Sequence, residues 1–246
     1  MRSRNLALLA AASALSGLTQ TAGAAVINYC GPNLCFEYDD AQAAVALYGQ
    51  PNFAGDDAFF TPNQFRAQSQ DGVGMHSPFG NTDVVDATFV FSRIYTVNPN
   101  NEIAGILAYE EGDFEVNYAA GEVHADLYLS AFGLNAVEPT VLATDSLDFV
   151  GNSGGNQLWA MSATVFPATS LSQVANNITL TIQNTLSAFT SDSTAGSEYA
   201  YIEKKLILEI NTLTPVGETV PVPAAVWLFG SAVGLLGVAR RRRTAA

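Results

Sequence analysis

Val123-His124-Ala125-Asp126-Leu127-Tyr128-Leu129-Ser130-Ala131-Phe132 alternates with period two. Val123, Ala125, Leu127, Leu129 and Ala131 share one parity; His124, Asp126, Tyr128, Ser130 and Phe132 share the other. Successive side chains of a strand point to opposite faces, so this stretch reads as a half-buried β-strand. Ile178-Thr179-Leu180-Thr181-Ile182-Gln183 repeats the pattern, and Ile202, Leu206, Leu208 and Ile210 keep one parity against Glu203, Lys205 and Glu209. Residues 58–60, 64–69, 114–118, 140–149 and 157–165 are further strand candidates. Residues 88–97 and 102–109 read as a hairpin closed by Asn98-Pro99-Asn100-Asn101, whose residue types suit a turn. Asp39-Asp40 is placed to cap a short helix over 41–47.

Many strands, frequent turn residues and few helices predict an all-β fold, an antiparallel β-sandwich of jelly-roll type. A closed barrel is the other solution that the pattern admits. Of 246 residues, 48% are hydrophobic and 13% charged, enough apolar material for a core and too little charge for a disordered chain. Six of the ten basic residues sit near the termini. Arg66, Arg93, Lys204 and Lys205 alone face 23 carboxylates in the interior, a net −19. Such a surface repels phosphate backbones, which argues against nucleic-acid binding.

Both termini carry addresses. Arg2 and Arg4 precede an apolar stretch at 6–18 and the small-residue site Ala22-Gly23-Ala24, so 1–24 reads as a secretory signal peptide. An ectodomain follows over 25–219. Residues 220–243 then divide into Val220-Pro221-Val222-Pro223, an apolar segment over 224–239 containing Trp227, Leu228 and Phe229, and Arg240, Arg241, Arg242 and Arg243. The prolines favour extended backbone, so a helix is expected after them. A span of about 20 residues crosses a bilayer, and counting from Val220 reaches Ala239. The arginines stay on the cytoplasmic side and stop the chain in the membrane.

This three-part tail resembles the PEP-CTERM sorting signal of exported bacterial proteins, in a Val-Pro-Val-Pro variant. The resemblance implies processing by an exosortase, first anchorage in the inner membrane with a cytoplasmic C-terminus, and final placement on the cell surface or in an exopolysaccharide or biofilm matrix. The interior is also similar to a recurring ectodomain found beside such tails. Phe59-Phe60-Thr61-Pro62, Phe65-Arg66-Ala67, the turn Glu111-Gly112-Asp113-Phe114 and Tyr201-Ile202-Glu203-Lys204-Lys205 carry that likeness. It implies an all-β extracellular module and brings no catalytic residue.

Cys30 and Cys35 enclose Gly31-Pro32-Asn33-Leu34, a turn that brings two thiols together in an oxidising compartment, so a structural disulfide is expected. Gly151-Asn152-Ser153-Gly154-Gly155 matches G-x-S-x-G, but neither His76 nor His124 has the setting of a catalytic base. A glycine-rich turn is the simpler reading. Trp159, Tyr128, Tyr199 and Tyr201 could offer sugar-stacking rings. Acidic pairs at Asp39-Asp40, Asp56-Asp57, Asp83 with Asp86, and Glu110, Glu111 and Asp113 around Gly112 could gather on calcium. Two histidines and two cysteines are too few for an expected transition-metal site.

The sequence therefore predicts a non-enzymatic structural or adhesive surface protein without a cofactor, unless calcium binds. The alternative is a carbohydrate-binding module, and a secreted hydrolase comes third. A convergent aromatic strip would favour sugar binding; a deep cleft with two carboxylates would favour hydrolysis.

Overall fold

The structure, a computed structural model, describes residues 25–62, 64–77, 80–134, 141–170, 175–191 and 197–213. Side chains at 141, 169, 170 and 205–213 are left aside. The signal segment at 1–24 and the whole sorting signal, from Val220 through Trp227 to Arg243, lie outside the described residues. Among the described residues no helix is long and apolar enough to cross a membrane.

In chain order the elements are β1 (Val26–Cys30), β2 (Leu34–Asp39), α1 (Val45–Tyr48), β3 (Asn52–Ala54), β4 (Asp57–Phe60), β5 (Arg66–Gln70) and β6 (Val73–Gly74). They continue as β7 (Thr82–Thr96), β8 (Glu102–Val116), β9 (Glu122–Gly133), β10 (Val141–Val150), β11 (Gln157–Val165), α2 (Pro167–Ser170), β12 (Asn177–Phe189) and β13 (Tyr199–Leu213). One sheet runs β1-β2-β7-β12-β9-β10 and the other β11-β8-β13-β4-β3. β5 pairs with the first part of β13, opposite Tyr199 to Glu203, and β4 continues that flank opposite Leu206 to Leu208. Every pairing is antiparallel. The strands thus form an all-β sandwich of two sheets with edges, and the closed barrel is not formed.

The parity of the sequence sets the faces. Val123, Ala125, Leu127, Leu129 and Ala131 on β9 and Ile178, Leu180, Ile182 and Leu186 on β12 are buried from one sheet. Ile106, Ala108 and Phe114 on β8 meet them with Ala200 and Ile202 on β13. At one end the core is aromatic. Phe60 and Phe89 meet edge to face at 4.8 Å, and Tyr48 stands 5.1 Å from Phe65. Such ring pairs each add about 0.5–1.5 kcal/mol beyond the area they bury.

Three expectations need correction. β7 and β8 are no hairpin: they lie in different sheets, and the Asn98 turn, closed by Asn101 N–H donating to Asn98 O at 2.9 Å, carries the chain across the sandwich. The helix is shorter than 41–47 and starts later, with Ala44 as its N-cap and no side-chain cap; Asp39 instead accepts the Ala41 N–H at 2.8 Å in the preceding turn. Glu111-Gly112-Asp113-Phe114 is not a turn but lies within β8, a strand of 15 residues.

Candidate functional site

Cys30 and Cys35 face each other across the β1–β2 hairpin and form a disulfide, with their Cα atoms 4.1 Å apart. Asp56 holds the hairpin turn from outside, accepting the N–H groups of Asn33 at 2.9 Å and Leu34 at 3.0 Å. The sulfur bridge therefore belongs to the edge of the six-stranded sheet.

The three proposed calcium residues do not converge. Strand geometry sends Glu110 inward and its neighbour Glu111 outward. Glu110 is fully buried, whereas Glu111 is exposed. Inside, Glu110 Oε2 meets Lys204 Nζ at 3.1 Å and Oε1 accepts from Asn184 Nδ2 at 2.6 Å. Lys204 Nζ also donates to Asn184 Oδ1. Burial pushes the Glu110 carboxyl up, against the charge and hydrogen bond of Lys204, and pushes the Lys204 ammonium down to about 8. Asp113, outside, accepts from Tyr201 Oη at 2.8 Å and Asn156 Nδ2 at 3.0 Å. Among the described residues no cluster of three or more His, Cys, Asp or Glu side chains is arranged to hold a metal.

In each of the other acidic pairs at least one carboxylate holds backbone, as Asp39, Asp40, Asp56 and Asp83 do. Asp40 accepts the Ala25 N–H and Asp71 the N–H groups of Ser197 and Glu198, each within 2.9 Å. Asp83, fully buried, accepts from Gln68 N at 2.9 Å and His76 N at 2.6 Å, with His76 Nδ1 at 2.9 Å. Ser153 is likewise structural in its contacts. Its hydroxyl accepts the Val116 N–H at 3.0 Å and donates to Gly155 O at 2.6 Å, in a loop where Gly151, Gly154 and Gly155 all take positive φ.

The four candidate stacking rings do not form one strip. Trp159 is buried, and its Nε1 donates to Glu203 O at 3.0 Å. Tyr199 and Tyr201 share the outer face of the seven-stranded sheet, but the Arg66 guanidinium covers the Tyr201 ring at 4.4 Å and donates to Tyr199 Oη at 2.6 Å. The guanidinium thus occupies both rings, although its Nε has no hydrogen-bond partner among the described residues.

Of the four rings, Tyr128 is the one on the outer face of the other sheet, and its surroundings are different. Thr144, Tyr128 and Gln183 lie side by side across β10, β9 and β12. Ser146, Asp126 and Thr185 form the next row, and Asp148, His124 and Ser187 the one after. The first two rows line a trough of about 550 Å³. The side chains of Tyr128, Gln183, Thr185, Thr144 and Ser146 make no hydrogen bond with other described residues. Neighbouring strands stand ~4.8 Å apart, so hydroxyls and an amide follow one another from strand to strand across the trough. At the trough's end, His124 Nε2 lies 2.7 Å from Asp126 Oδ2 and Nδ1 lies 2.5 Å from Asp148 Oδ1. Partial burial disfavours the imidazolium there, but the two carboxylates outweigh it and raise the His124 pKa. The alternation of residues 123–132 already places these groups on one face; the pairing that aligns the three rows is not written in any single strand.

No family description matches the chain, and no curated protein matches it. Among solved structures, one from work on the structural basis for the promiscuous specificity of carbohydrate-binding modules of the β-sandwich superfamily aligns with 78% of this chain and 87% of its own. Identity is 6% and the TM-score 0.22, a likeness that fixes neither fold nor ligand.

Proposed function

We propose that the chain is an exported structural or adhesive protein of the cell surface or matrix, non-enzymatic, whose six-stranded sheet offers a carbohydrate-binding face. We read the order β5-β13-β8-β11 opposite β7-β12-β9-β10 as the jelly-roll arrangement, with β1, β2, β3, β4 and β6 as additions. The observation that carries the binding proposal is the pair of rows Thr144–Tyr128–Gln183 and Ser146–Asp126–Thr185. A tyrosine ring can cover the C–H face of a sugar, while Gln183 donates and accepts and the hydroxyls do either. Asp126 adds an acceptor held in place by His124.

A hydrolase draws less support from this geometry. The trough is open, Asp126 is tied to His124, and Asp145 is occupied by the Ser162 N–H at 2.8 Å. The export proposal rests on the basic and apolar pattern of residues 1–24 and on the Val-Pro-Val-Pro, apolar and arginine series of 220–243. Exosortase is the partner that this series implies, with the membrane before processing and exopolysaccharide after it.

The binding proposal is tested on a glycan array with the purified chain, beside Tyr128→Ala and Gln183→Ala. Retention of a glycan class by the parent, lost in both variants at unchanged melting temperature, supports it. No retained glycan, or retention indifferent to both changes, overturns it. Mass spectrometry of the surface form tests the tail: a chain that still carries Arg243 in cells that express the exosortase would sink the processing proposal.

A further inference from the structure

The sandwich core contains three polar side chains whose polar atoms are used on one another. Lys204 comes from β13 and Glu110 from β8 in one sheet, and Asn184 from β12 in the facing sheet. The Lys204 and Glu110 side chains are both 0% exposed, and Asn184 is fully buried. Phe65 lies under the Lys204 ammonium, 4.5 Å from it, and Tyr48 packs on Phe65. An ion pair in such a place is a weak source of stability, because desolvation offsets the attraction and apolar residues of similar volume serve as well. Its arrangement, however, is that of a reaction site. One Glu110 oxygen faces the lysine nitrogen and the other faces the amide nitrogen of Asn184, while Lys204 Nζ rests against the oxygen of the same carboxamide.

We propose that Lys204 and Asn184 become joined by an intramolecular isopeptide bond, with Glu110 carrying the protons. Transfer of a proton within the ion pair leaves an amine and a carboxylic acid. The amine lone pair attacks Cγ of Asn184, the N–C bond forms, and the C=O electron pair moves to Oδ1. A half-turn of the carboxyl group brings the protonated oxygen from Nζ to Nδ2, so Glu110 gives its proton there and takes one from Nζ on its other oxygen. The electron pair on Oδ1 then re-forms the carbonyl, the Cγ–Nδ2 bond breaks, and ammonia leaves. The ammonium of Lys204 and a primary amide have become a secondary amide and ammonium, because Glu110 hands its remaining proton to the departing ammonia; nothing is oxidised or reduced, and Glu110 is again the carboxylate of the starting ion pair.

The surroundings favour each stage. Burial lowers the lysine and raises the glutamate, so both shifts move the pair toward the uncharged forms that start the step. Attacking nitrogen, amide and proton carrier are held by three rigid strands, which supplies the proximity that makes an intramolecular amide exchange feasible at all. Glu110 acts on the reacting atoms at 3.1 and 2.6 Å, within the reach that general acid–base transfer needs. The product ties the two sheets through β12 and β13. It would stiffen a surface protein against pulling on β13, and it does not depend on the ligand proposed for the outer face.

The experiment is peptide mapping by tandem mass spectrometry of the purified, reduced full-length chain. The expected result is one branched peptide containing both Asn184 and Lys204, lighter than their sum by one ammonia, with Lys204 resistant to trypsin. Glu110→Gln, which cannot exchange a proton in this way, is expected to yield the two peptides separately, as are Asn184→Ala and Lys204→Arg. Separate peptides with an intact Asn184 amide in the folded parent chain overturn the proposal whatever the variants do. A Glu110→Gln chain that cross-links as completely as the parent overturns the role given to Glu110.

Discussion

Trp159 on β11 reaches the carbonyl of Glu203 on β13, two strands away, with Nε1 at 3.0 Å, by passing over Gly112 of the intervening β8. A Cβ added at Gly112 would stand 1.9 Å from Glu203 O and 2.8 Å from Trp159 Nε1. Backbone and indole would both have to move. Gly112→Ala is therefore expected to destabilise the fold by about 1–3 kcal/mol, the usual cost of overpacking a filled site. Urea unfolding of the two chains checks this. A midpoint unchanged by the methyl group would mean that the strands separate there at little cost.

The disulfide is expected to matter modestly. Closing so short a loop removes little freedom from the unfolded chain, worth about 2 kcal/mol. Cys30→Ser with Cys35→Ser should lower the unfolding free energy by about 2 kcal/mol and leave the far-ultraviolet spectrum in place. Cys35 is 4% exposed, so the double variant also puts a hydroxyl against the core. A loss of all cooperative unfolding would show that the edge hairpin holds much more of the sandwich than its position implies.

Parity made much of this legible. The strand expected at 157–165 coincides with β11, and the alternations at 123–131 and 178–183 lie within β9 and β12. Parity says which face a residue takes, however, and not which sheet receives the strand, so β7 and β8 looked like a hairpin. The buried triad was also within reach. Lys204 shares the parity of Ile202 and Leu206, Asn184 that of Ile182 and Leu186, and Glu110 that of Ala108. A charged residue in an apolar stripe is the signal, and three stripes carried one polar residue each. Reading Gly112 as a turn broke the β8 stripe and turned Glu110 outward. The trough needed more, because its rows depend on cross-strand register between residues separated by 16 positions (Tyr128 and Thr144) to 63 positions (His124 and Ser187), which no pattern within one strand encodes.

His124 predicts a pH dependence. The folded chain holds its pKa above the ordinary value near 6.5, as Asp126, Asp148 and their hydrogen bonds outweigh partial burial. A group raised on folding stabilises the native state fully below its unfolded pKa, and the contribution is lost as pH rises through the folded value. Stability should therefore decline from about pH 6.5 upward by an increment that His124→Gln abolishes. Denaturation midpoints of both chains across that window measure the increment. Parallel curves would mean that solvent screens the pair completely; the Asp148 side chain is 75% exposed, so the effect is expected to be small.

The last prediction concerns the acidic surface. With four interior cations against 23 carboxylates, the sequence left the acids to solvent or to metal. The structure supplies a third answer, since Asp39, Asp40, Asp56, Asp71, Asp83 and Asp145 all accept backbone N–H groups. A carboxylate so engaged has fewer lone pairs for an ion, and Glu110 has none within reach of the surface. Millimolar calcium and magnesium should then raise the melting temperature equally at matched ionic strength, because both merely screen like charges. A site-bound ion behaves differently: at a hundred times its dissociation constant it adds about 2.7 kcal/mol, and it does so for the ion that fits. Thermal unfolding in calcium, magnesium or chelator separates the two. Coincident curves for the cations are the expected result. A rise with calcium alone would contradict it and would place an ion on carboxylates other than the buried Glu110.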